Sequence, residues 1–147
     1  MRLFSLVLCL FIGQILSAQS GAPAPNKTTA TDPAVRAATD ALVAKYSLNA
    51  DQAKQMYQIQ QRKNSNMAEI AAFQTSDVAL YQAKLLNVQN GTWTSIRHIL
   101  NTKAQVDIFQ KTQGELRGLR NAKRKDLTAQ KAPKEAIEAA VLAIYAE

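Results

Sequence analysis

Leu48-Asn49-Ala50-Asp51-Gln52 is the stretch from which the rest of the chain can be read. Asn49 can place its side-chain oxygen on the bare N–H groups of the turn that follows, and Gln52, three residues on, can reach back to the backbone N–H of Asn49. This is a capping box with Asn in the Ser/Thr position. Leu48, just outside the cap, can lie against the helix it introduces, and Asp51 adds negative charge at the positive end of the helix dipole. From Ala50 to about Phe73 the spacing predicts a helix with Ala53, Met56, Ile59, Met67 and Ile70 on its apolar side. Lys54, Gln58, Arg62 and Glu69 form its wet side.

A related phrase recurs as Leu100-Asn101-Thr102-Lys103-Ala104-Gln105, again at the mouth of a long amphipathic segment. In the register of the first copy Ala104 falls in the Gln position; read one residue later, the box runs from Thr102 to Gln105. The pair resembles the Leu-Thr-x-x-Gln signature of the Spy/CpxP-like periplasmic proteins, over roughly residues 47–127, with Asn49 standing where that family has Thr. The resemblance implies an ATP-independent periplasmic chaperone or envelope-stress protein, acting as a cradle-shaped homodimer on unfolded or partner proteins.

Working outward, Met1-Arg2 followed by the apolar run Leu3 to Gly13 and by Ser17-Ala18-Gln19 predicts a secretory signal peptide over 1–18. Gln14, Ser17 and Gln19 end the run short of the roughly 20 apolar residues of a membrane anchor, so no stable membrane insertion is expected after cleavage. Cys9, the single cysteine, would leave with this leader, and with it any disulfide or thiol chemistry. Residues 19–31, rich in Pro, Ala and Thr, read as a flexible tether, and 32–147 as one helical domain. The two N-x-T sequons at Asn26 and Asn90 are read as chance matches.

Thr31 or Asp32 before Pro33 makes a helix start, leading to a short helix with Val35, Ala38, Leu42 and Tyr46 on one side. Thr75 or Ser76 is expected to cap a third helix carrying Val78, Tyr81, Leu85, Val88, Ile96 and Ile99. It should continue through Asn90-Gly91, because the apolar phase is kept. A fourth helix opens at Asn101 or Thr102 and runs towards Leu127, and a last one starts at Pro133. Sustained period-two alternation is absent. The expected fold is all-α: four or five helices in elongated antiparallel hairpins, with apolar stripes that a second copy could cover in a homodimer.

The formal charge of +7, reduced by one to +6 when Arg2 leaves, favours acidic partners, and export argues against nucleic acid. His98, the only histidine, has no Cys or carboxylate cluster at ligand spacing, and no nucleophile, phosphate-loop or paired-carboxylate motif is present; neither metal, cofactor nor enzymatic activity is expected. Gly114 and Gly118 allow either a close helix crossing or a tolerated weakness. The sharpest feature is a basic run through Lys111, Arg117, Arg120, Lys123, Arg124, Lys125 and Lys131. Arg117, Arg120 and Arg124 share one helix face, with Leu116 and Leu119 flanking it. These five residues are the expected surface for acidic or unfolded protein segments, the arginines holding carboxylates bidentately and the leucines touching apolar chain.

Overall fold

The computed structural model describes residues 32–145, and all regular structure among them is helical. The expected leader over 1–18 and expected tether over 19–31, with Cys9 and the Asn26 sequon, lie outside the described residues. Helix α1 (Pro33–Tyr46) opens as expected, with the Asp32 carboxylate accepting from the Ala34 N–H at 2.9 Å and Pro33 in the first turn. It ends at Ser47, which adopts a left-handed conformation (φ 50°, ψ 52°) that turns the chain, and the Leu48 N–H closes back on the Val43 carbonyl at 3.0 Å. The connection is so short that Leu48 is carried straight into the core.

Helix α2 (Ala50–Ile70) begins at the capping box: Asn49 Oδ1 accepts from the Gln52 N–H at 2.9 Å and Gln52 Oε1 accepts from the Asn49 N–H at 3.1 Å. It stops earlier than the pattern suggests. A one-turn helix, α3 (Phe73–Ser76), intervenes, raising the number of helices among the described residues to six. The cap of the next helix, α4 (Val78–Ile99), is Asp77, not Thr75 or Ser76, because Ser76 Oγ already bonds back to the Ala72 carbonyl at 2.8 Å while Asp77 accepts from the Leu80 N–H at 2.9 Å. Helix α4 is unbroken through Asn90-Gly91, where the Thr92 hydroxyl, buried, bonds to the Val88 carbonyl.

The core forms where α1, α2 and the end of α4 meet. Leu42, Tyr46, Leu48, Met56, Ile59, Ile96, Ile99 and Leu100 make one cluster, with Val106, Ile108 and Phe109 of the next helix packed on it. Tyr46, Met56 and Ile96 are fully buried, each such side chain contributing about 1.5–3 kcal/mol by leaving water. Met56, on the apolar side expected of this helix, is core.

Helix α5 (Lys103–Ala129) opens at the second capping box, in the later register: Thr102 Oγ1 accepts from the Gln105 N–H and Gln105 Oε1 from the Thr102 N–H, both at 3.3 Å. Both leucines of the repeated phrase, Leu48 and Leu100, are in the core, although Leu100 stands two residues before its cap and Leu48 only one. The two boxes meet. Gln52 Nε2 donates to the Ile99 carbonyl (2.7 Å), Asn101 Oδ1 (3.2 Å) and Gln105 Oε1 (3.1 Å), and Gln105 Nε2 donates to Gln52 Oε1 (3.1 Å) and the Ser47 carbonyl (3.4 Å). Helix α6 (Lys134–Leu142) has Pro133 as its cap residue with extended ψ, and packs on α5 and α4. At Gly91, Gly114 and Gly118 an added Cβ would meet nothing within 4 Å, so neither Gly114 nor Gly118 marks a close crossing.

Candidate functional site: an arginine-lined cleft beside Trp93

Trp93, in the C-terminal half of α4, is buried and packs against aromatic rings from the neighbouring elements. Its ring meets Phe109 of α5 at 5.5 Å between centroids and Tyr145 beyond α6 at 5.4 Å, both near-perpendicular, a geometry that suits aromatic quadrupoles. Two grooves open on either side of it, sharing Asn90, Trp93 and Arg120. One, of about 530 Å³, runs between α4 and α6 over Ala83, Leu86 and Leu142, with Arg124 and Glu138 at its rim. The other, of about 730 Å³, lies between α4 and α5 and is lined by Arg97, Arg117 and Arg120 together with Phe109, Gln110 and Gln113.

The basic run of α5 is divided by its packing. Arg117 and Arg124 are exposed and, among the described residues, have no ion pair or hydrogen bond. Arg120 is half-buried and occupied: its Nε and Nη2 donate to the Ile144 carbonyl at 3.0 and 2.8 Å, pinning the chain after α6. Gln89 supports the same segment, its Nε2 donating to the Leu142 carbonyl at 2.9 Å. The two leucines separate likewise, since Leu116 is 5% exposed and Leu119 is 57% exposed. Of the five expected binding residues, Arg117, Arg124 and Leu119 are open to solvent, and Leu116 and Arg120 hold the structure together. Val78, Leu80 and Leu86 add exposed apolar surface along α4.

The cap residues Leu48, Asn49, Gln52, Leu100, Asn101, Thr102 and Gln105 come together in the junction described above. Compared with family models, with curated proteins and with solved structures, the chain matches none of them. Among the described residues no three His, Cys, Asp or Glu side chains gather as a metal site would require, and none of the helices there is long and apolar enough to cross a membrane. His98 is exposed in the last turn of α4, where it and Arg97 face the negative end of the dipole.

Trp93, Arg97 and Gln113 were not singled out by the sequence pattern. A signal exists: Trp93 is the only tryptophan, and Arg97 follows it by four residues, on the same helix face. Gln113 carries no such mark, because glutamine is common on wet helix faces.

Proposed function

We propose that the chain is an exported, ATP-independent chaperone or envelope-stress protein of the periplasm that holds unfolded or partner proteins on a basic, apolar-edged helical surface. The observation that carries this reading is the pair of capping boxes, fifty-three residues apart, whose glutamines bond to each other. A resemblance resting on two short phrases is strengthened when the phrases form one structural unit. Arg117 and Arg124 would attract acidic segments, and Leu119 with Leu86 would touch apolar ones. Antiparallel hairpins interlocked in a cradle-like homodimer, with no cofactor and no enzymatic step, complete the proposal. Exposed Val78, Leu80 and Leu119 are apolar surface that a second copy could cover.

The test is suppression of aggregation. Mature protein at near-stoichiometric ratio is expected to keep several unrelated unfolding proteins in solution, and sedimentation at tens of micromolar, within the range of ordinary protein association, is expected to give twice the monomer mass. Protection of none of them rejects the chaperone reading.

A second reading, an adaptor that binds an envelope polyanion or one dedicated partner, is favoured by the cleft between α4 and α5, which three arginines and no carboxylate line.

A further inference from the structure

The geometry points to the cleft between α4 and α5 as a binding site for a multiply charged oxyanion of the phosphate class, held by Arg97, Arg117 and Arg120 with Gln113 and Trp93 beside them. Resting on the polyanion reading, not on protein capture, the inference names the chemistry of the ligand.

Like charges are placed together here without compensation. Three arginines line one cleft of about 730 Å³ whose walls include no Asp or Glu. Arg117 has no partner among the described residues, Arg97 makes only a 3.4 Å approach to the Leu100 carbonyl, and Arg120 uses one face of its fork on Ile144, leaving Nη1 uncommitted. A helical surface with this much positive charge gains from a ligand that brings more than one negative charge.

The second observation is independent of charge. Trp93 is 8% exposed and its indole Nε1 has no acceptor; the Nε2 of Gln113, on the opposite wall, is also buried without one. Buried polar groups are nearly always bonded. Both unsatisfied atoms are donors, as are all the nitrogens of the three arginines. A ligand held by the three arginines must accept, and accept several times. A single carboxylate offers one charge and two oxygens, too few for three guanidiniums, whereas a phosphate offers more oxygens in a shape the arginine fork matches. The cleft is larger than one phosphate needs, so a phosphate chain or a phosphate carried on a larger headgroup fits the class.

Trp93, the chain's single tryptophan, provides the readout. Its fluorescence would be followed as full-length mature protein is titrated with inorganic phosphate, with tripolyphosphate, and with phosphatidic acid vesicles against phosphatidylcholine vesicles, at constant ionic strength. A saturable change with tripolyphosphate or with phosphatidic acid is expected, and which of the two is tighter distinguishes a soluble from a lipid phosphate. Arg97→Gln and Arg117→Gln should each weaken it at least tenfold, while Lys54→Gln, an equal charge loss on exposed α2, should change it less than twofold. Arg120 is left intact because it anchors α6. Circular dichroism checks that each variant is folded. Equal weakening by Lys54→Gln and Arg117→Gln would reduce the site to general electrostatics and overturn it. If polyglutamate binds with the arginine dependence and no phosphate does, the phosphate class is wrong and the polyanion reading survives; if neither binds, both fall.

Discussion

The side-chain amides of Gln52 and Gln105 bond to each other in both directions, each Nε2 lying 3.1 Å from the other's Oε1. Their orientation is set locally. Each oxygen also accepts the backbone N–H of its own helix cap, from Asn49 and from Thr102, which turns each NH₂ group towards the other helix start. Two local caps thereby become one long-range joint between α2 and α5, sealed beneath by Leu48 and Leu100.

Because both glutamines are buried, removing either amide leaves the other with unmet bonds. Gln52→Ala and Gln105→Ala are each expected to lower stability by about 1–3 kcal/mol. In a double-mutant cycle by chemical denaturation the two losses should fall short of additivity by about 0.5–3 kcal/mol. Strict additivity would mean that the joint carries no coupling.

The cap itself and the turn before it should respond with opposite signs. Asn49→Ala removes the acceptor of the Gln52 N–H and should cost about 0.5–2 kcal/mol. Ser47→Gly relieves a left-handed backbone that an L side chain adopts only at a cost, and should stabilise by up to about 1 kcal/mol. A lower melting temperature for Ser47→Gly would show that the serine makes a contribution beyond its backbone.

What could be read in the sequence was the chemistry that acts within a turn or two. Capping needs only Asn49 and Gln52, or Thr102 and Gln105, so both boxes were legible, and so was α4 running through Gly91. What escaped was the result of helices meeting. Nothing near Gln52 announces a partner fifty-three residues away, and nothing near Arg120 announces the Ile144 carbonyl. Leu116 and Leu119, three residues apart, looked like matching flanks of a basic face; only the direction from which α5 is covered separates them. Asp77 took the capping role from Thr75 and Ser76 because a single extra helical turn, invisible in the apolar period, engaged Ser76.

That separation can be tested directly. Leu116→Ala opens a cavity under α5 and should cost about 2–5 kcal/mol. Leu119→Ala, at a site 57% exposed, should stay within about 0.5 kcal/mol of the parent in the same denaturation experiment. Similar losses at the two positions would mean that Leu119 is covered in solution, as a homodimer would require.

Arg120→Ala should loosen the end of the chain rather than the whole fold. It removes two charge-assisted bonds to the Ile144 carbonyl, about 1–3 kcal/mol of local docking energy, and Tyr145 then loses its fixed place against Trp93. Hydrogen exchange of the α6 amides should speed up about tenfold for every 1.4 kcal/mol lost, while the amides around Met56 and Ile96 keep their protection. Uniform acceleration across the chain would show that α6 and the core unfold together.

Protein capture should depend on the arginines that remain free. Reversing all three of Arg117, Arg120 and Arg124 would confound charge with the docking of α6, so the informative variant is Arg117→Glu with Arg124→Glu, both exposed, and both replaced by a good helix former. Attraction to acidic segments speeds encounter, and it fades as salt shortens the screening length from about 10 Å at 0.1 M to about 3 Å at 1 M. The parent is therefore expected to capture an aggregating acidic client faster at low salt than at high salt, and the double variant to be slower at low salt and nearly salt-independent. Leu119 and Leu86 remain in place in both proteins, so the two should converge at 1 M salt, where only apolar contact is left. If the double variant protects the client as well as the parent does at low salt, Arg117 and Arg124 are an ordinary solvated face, and capture must be sought on the exposed apolar residues of α4 instead.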